Sequence, residues 1–125
     1  MVFSKGIIIA IGTNLENNYQ QANFINGEGK TIIPGLIDAH THTWGDALVK
    51  AVQFGVTTEL DMFTNTIFAI TQRETRLDNQ QNSQQADLFS AGTLLTAPNG
   101  HGTEYGFNIP TIEKASQADT FVKSR

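Results

Sequence analysis

Apolar residues in this chain fall into short, closely spaced runs separated by polar, turn-rich stretches. The spacing changes from a strand-like to a helix-like period several times. "MVFSKGIIIAIG" reads as strand, turn, strand: Lys5-Gly6 supplies the turn and the isoleucines favour extension. "TNLENNYQQANFINGEGK" is polar, with Asn26-Gly27 as a hairpin signal. "TIIPGLIDAHTHT" is an apolar strand. Pro34-Gly35 interrupts ladder pairing, so its buried part is expected over residues 36–42.

"GDALVKAVQFG" predicts a short helix capped by Asp46 and ended by Gly55. Its broad apolar face comprises Ala47, Leu48, Val49, Ala51, Val52 and Phe54. "VTTELDMF" predicts the next strand. "TIFAITQRETRLDNQQ" predicts a helix, with Ile67, Phe68, Ile70 and Leu77 at roughly helical spacing. "NQQNSQQ", residues 79–85, is a small low-complexity stretch at a helix end or loop. "ADLFSAGTLLTA" predicts a third strand region. "PNGHGTEYGFNIP" is a glycine-rich loop of the length that often carries function. "TIEKASQADTFVKSR" predicts a closing helix capped by Thr111. From residue 34 onward the order is strand, helix, strand, helix, strand, loop, helix, which implies parallel strands with right-handed crossovers.

Composition narrows the chemistry. A chain of 125 residues supports one domain with a core and falls short of a large barrel. Its 8 basic and 12 acidic residues give a net charge of −4 and form no Lys/Arg cluster, so nucleic acid is not an expected partner. The longest early apolar run, "IIIAI", is too short to cross a membrane and makes a poor signal-peptide core, which leaves the cytoplasm as the expected location. No cysteine is present, so a metal would have to be held by histidines and carboxylates.

Two of the three histidines, His40 and His42, stand one residue apart at the end of the first long strand. On a regular strand they share a face with Asp38, their Cα atoms ~6.6 Å apart. Two imidazoles at that spacing can converge on one divalent ion. Asp38, one step deeper, is placed to fix a ring tautomer rather than to bind the metal directly. Function in parallel α/β folds gathers at the carboxyl ends of strands, and that is where this pair lies. The alternative is two exposed loop histidines. Other residues carry similar pairs of readings. Glu59 and Asp61 share a strand face and either line the same interior or, the favoured reading, satisfy neighbouring polar groups. His101 either reaches substrate over the site mouth or is a surface histidine in a glycine turn. Trp44 either covers the site mouth or simply packs. "GHGTEYG" is not a dinucleotide fingerprint, because its last gap is three residues and no helix follows directly.

"KTIIPGLIDAHTHTWG" resembles the first barrel strand of the metal-dependent amidohydrolase superfamily, in the branch of imidazolonepropionase and the Xaa-Pro-type dipeptidases. "GVTTELDMF" and "SAGTLLTAPNGHGTEYG" continue the likeness, and "FSKGIIIAIG" is similar to the strand pair of the small β-sandwich that precedes the barrel. The resemblance implies an α/β fold in which residues 1–33 are part of the sandwich. Residues 34–125 would be the first three βα units of a (β/α)8 TIM-type barrel. It implies one or two divalent ions, zinc by preference, with His40 and His42 as ligands. Asp38 and His101 would be supporting or substrate-facing residues. The substrate would be a small amide or dipeptide-like molecule, its C–N bond hydrolysed by metal-activated water. The family's later lysine or carboxylate, its two further histidines and its last aspartate have no counterparts here, and Lys123 falls at a helix end. The chain therefore reads as an N-terminal fragment, inactive by itself, whose expected partner is the remainder of the barrel. The competing reading is a product without activity.

Overall fold

The computed structural model describes residues 1–78, 84–105 and 109–124, with side chains of the second helix described up to Arg76. Most of the low-complexity stretch (residues 79–83), Gly106 and the Leu77 side chain lie outside the described residues. The chain divides into two compact units, Met1–Pro34 and Gly35–Arg125.

In the first unit, β1 (Val2–Ser4) and β2 (Ile7–Ala10) pair antiparallel. Lys5 (φ 49°) and Gly6 (φ 76°) both take the positive φ that a tight two-residue hairpin needs. A 3-10 turn, Leu15–Asn17, follows. The expected hairpin at Asn26-Gly27 is reduced to a turn. Glu28 N–H donates to the Asn26 side chain (2.9 Å) and Lys30 N–H to the Gly27 carbonyl (2.9 Å), but no strands flank it.

The second unit is a parallel three-stranded sheet in the order β3-β4-β5, with β3 (Leu36–Thr41), β4 (Val56–Asp61) and β5 (Asp87–Ser90). The connections run through α1 (Ala47–Gln53) and α2 (Thr66–Asp78). α3 (Ser116–Lys123) comes last. This mixed α/β order matches the strand–helix rhythm read from the hydrophobic pattern. Among the described residues no helix is long and apolar enough to cross a membrane.

β3 begins directly after Pro34-Gly35, and a physical reason is visible. A Cβ on Gly35 would collide with Oγ1, Cγ2 and Cβ of Thr57, so only glycine lets the two strands approach there. The strand is not buried as expected, however: it ends the sheet order, and Leu36 and Ile37 are 52% and 63% exposed. The core gathers instead around Leu48, Ala86 and Leu88, with Ala51, Val52 and Phe68 packed against them. Leu48, Ala51 and Val52 have the i, i+3, i+4 spacing of one helix face. Val49 and Phe54, assigned to that face from sequence, are exposed.

The helix ends differ from expectation in two places. Asp46 precedes α1 but makes no side-chain cap. Its carboxylate pairs with Lys50 at 2.9 Å, and the hydrogen bond from Lys50 holds the Asp46 carboxyl below its usual range. Thr111 does not cap α3; it bridges Thr96, and Gln117 accepts the amides of Glu113 and Lys114 instead, both at 2.9 Å. α2 has a side-chain cap, since the carboxamide oxygen of Asn65 accepts from Ile67 N–H (2.9 Å) and Phe68 N–H (3.2 Å). β5 is four residues long, shorter than the apolar run around it, and the chain turns at Gly92 (φ 75°).

Candidate metal centre at the strand ends

All three parallel strands end on one side of the sheet, and His40 and His42 sit at that end of β3. Their ring centroids are 5.7 Å apart, edge to face. His42 also lies beside Trp44, stacked at 6.4 Å, and Phe63, edge-on at 6.2 Å. Trp44 is 53% exposed, so this aromatic group borders solvent. The ring separation leaves room for one ion between two nitrogen donors with bonds of ~2.1 Å. Among the described residues, though, no group of three or more His, Cys, Asp or Glu could hold a metal ion. The donors present fit half of a tetrahedral site.

A strict two-residue period does not survive along β3. Asp38 pairs with Glu59 and Thr41 with Asp61, so three steps on β3 match two on β4. The extra residue is a β-bulge next to the candidate site. It brings Thr41, rather than a histidine, into register with Asp61. Alternation about Thr41 sends His40 and His42 to the opposite side of the strand from it. Asp38, expected on the histidine face, is instead in register with Glu59. Its Oδ1 accepts the backbone N–H of His40 at 3.2 Å, a contact with the main chain and not with an imidazole.

A buried polar cluster occupies the carboxylate side. Thr43, Glu59, Asp61 and Thr64 are each less than a tenth exposed. The Thr43 hydroxyl donates to Glu59 Oε2 at 2.5 Å and lies 3.0 Å from the Thr41 hydroxyl. Asp61 Oδ1 accepts Thr43 N–H at 2.7 Å, and its Oδ2 accepts the Ser90 hydroxyl at 2.5 Å. The Thr64 hydroxyl donates to the Thr43 carbonyl. Ser90 Oγ in turn accepts Gly92 N–H at 2.8 Å, and Thr64 N–H donates to the Gly92 carbonyl at 3.1 Å. Burying carboxylates is costly unless their lone pairs are filled, and these hydrogen bonds supply the compensation. Glu59 and Asp61 thus satisfy neighbouring polar groups, as the favoured reading had it. Thr43, Thr64 and Ser90 were missed from sequence. The available signal was a polar residue at or just beyond the end of every strand.

His101 is exposed and belongs to a local turn. Its Nδ1 lies 2.9 Å from Glu104 Oε1, and its ring meets Tyr105 edge-on at 5.8 Å. The Glu104 carboxyl is held below its usual range by its own backbone amide first, then by Gly102 N–H and His101. No contact among the described residues joins His101 to His40 or His42.

Comparison with known proteins gives partial matches. The chain is 39% identical over 64 residues to an adenine deaminase from Clostridium perfringens, covering 46% of this chain and 11% of that protein. It is 34% identical over 104 residues to an allantoinase from Salmonella choleraesuis, covering 73% and 22%. It is 26% identical over 130 residues to an imidazolonepropionase from Geobacillus thermodenitrificans, covering 90% and 31%. These are names of amidohydrolase-superfamily enzymes. The chain spans under a third of the length of the relatives it matches. No family model and no solved structure matches it.

Proposed function

We propose that this chain is the N-terminal part of a metal-dependent amidohydrolase that cleaves a C–N bond in a small amide, cyclic amide or dipeptide-like substrate. In this reading β3, β4 and β5 are the first strands of a (β/α)8 barrel, and His40 and His42 are two ligands of a divalent ion, zinc by preference. The observation that carries it is the pair of imidazoles, 5.7 Å apart, at the carboxyl end of the first strand of a parallel sheet. The partial similarity to three hydrolases and deaminases of one superfamily supports it.

An ion bound there supplies Lewis acidity and lowers the pKa of a coordinated water. The chain's own contribution is to hold and shield. His40 and His42 would hold the ion through nitrogen lone pairs. Trp44 and Phe63 flank His42 and give the site an apolar rim. The buried carboxylates keep the backbone of the loop after β3 in place.

A specific observation favours a second reading. The described residues hold only two donors at this site and no third, and β3 and β5 are the outer strands of the sheet. A non-catalytic product, or a half-barrel that needs a partner polypeptide to complete the site, would look the same. Zinc titration of the chain by calorimetry, followed by histidine-ring NMR, tests the metal assignment. Saturable one-to-one binding, weakened at least about tenfold by His40→Ala and by His42→Ala, is expected when one of two donors is lost. Unchanged binding in both variants would overturn the assignment.

A further inference from the structure

His42 lies just beyond the last ladder residue of β3, Thr41, yet both peptide groups flanking its Cα are anchored to the end of β4. The preceding peptide is held because the Thr41 carbonyl accepts Met62 N–H at 2.9 Å. The following peptide is held because Thr43 N–H donates to Asp61 Oδ1 at 2.7 Å. Those two peptide planes set the φ and ψ of His42, and hence the direction of its Cα–Cβ bond. The anchoring residue is itself fixed. Asp61 is fully buried and its other oxygen is filled by Ser90. Thr43 is held further through its hydroxyl, on Glu59, and through its carbonyl, on Thr64. His40 lies within β3 itself, and its N–H donates to the neighbouring Asp38 Oδ1 at 3.2 Å on an exposed part of the strand.

We infer that Asp61 is a positioning residue for His42, with Thr43 and Thr64 as its relay: the buried carboxylate fixes the backbone that aims the imidazole, without itself touching the ion. The inference rests on the reading of His42 as a ligand. Preorganisation of a donor lowers the conformational cost of binding and appears as affinity.

The test is zinc titration of the full chain, read by calorimetry and by the ring ¹⁵N shifts of His42, with circular dichroism on each variant. Asp61→Ala should weaken zinc binding by about 10- to 100-fold, the usual scale for a lost supporting partner of a ligand. It should also broaden the His42 ring resonances. Asp61→Asn should recover most of the affinity, because its carboxamide oxygen can still accept Thr43 N–H. Thr64→Val, which removes one hydroxyl at nearly constant volume, should give a smaller loss in the same direction and serves if Asp61→Ala does not fold. Wild-type affinity in folded Asp61→Ala, or in Thr64→Val where Asp61→Ala is unfolded, overturns the inference while leaving the metal assignment intact. Asp61→Asn that stays folded yet binds as weakly as Asp61→Ala also overturns it. Unchanged affinity in His42→Ala removes both.

Discussion

Thr43 N–H donates to Asp61 Oδ1 at 2.7 Å across eighteen positions of sequence, with both residues almost completely buried. Removing the acceptor strands that buried amide and the half-buried Ser90 hydroxyl. Asp61→Ala should lower the unfolding free energy by about 1–3 kcal/mol, the scale for leaving a buried donor unsatisfied. Asp61→Asn should lose less than half of that. Urea denaturation midpoints of the two variants measure the difference.

Leu48 is the most buried large apolar side chain of the small core, at 3% exposure, whereas Leu36 is half exposed. Leu48→Ala should cost about 2–5 kcal/mol through lost transfer energy and a cavity. Leu36→Ala should cost under about 1 kcal/mol. Thermal unfolding of both variants separates buried from edge leucines and would refute the packing described if the order were reversed.

Gly35 faces the Thr57 side chain with no room for a Cβ. Gly35→Ala should destabilise by about 1–3 kcal/mol as an overpacked contact. Thr57→Ala in the same chain should return part of that loss. A double-mutant cycle with the two changes strictly additive would mean that they do not meet.

Asp46 and Lys50 form an exposed ion pair that holds the Asp46 carboxyl below its usual range. Because the folded-state pKa is depressed, this pair stabilises α1 above the ordinary carboxylate range. The contribution disappears as pH falls through the folded-state value. Wild type and Asp46→Asn should therefore differ slightly at neutral pH and converge in strong acid. High salt should shrink the neutral-pH difference. Urea midpoints over an acid pH series give the readout.

β3 is an outer strand carrying exposed Leu36 and Ile37. Such an edge is a template for pairing with another chain. Self-association of the isolated chain should rise with concentration, and Ile37→Lys should suppress it. Light scattering across a dilution series checks both expectations.

Much of the framework was legible in the sequence because it depends on local signals. Lys5-Gly6 dictates a hairpin, Pro34-Gly35 a strand start, and the apolar stretch opening at Leu36-Ile37 and the β-branched Val56-Thr57-Thr58 two strands. What failed depended on which of several available partners each residue takes. Asp46 has the chemistry of a cap, but Lys50 one turn on competes for its carboxylate. Thr111 bridges Thr96, fifteen positions earlier, and no local pattern announces that pairing. The faces of His40 and His42 relative to Asp38 were assigned by a period of two, and one extra residue in β3 altered the phase. The role of Thr43 was invisible for the same reason. Only with the register known does the second threonine of "HTHT" meet Glu59 and Asp61.

That single extra residue also separates two kinds of inheritance on one short strand. Thr41 and Thr43 face the side of the buried carboxylates, while the histidines interleaved with them make none of those contacts. Exchanging His40 or His42 should therefore leave the threonine contacts as they are. A lineage, or an experimenter, could rewrite these two side chains without renegotiating the fold that displays them.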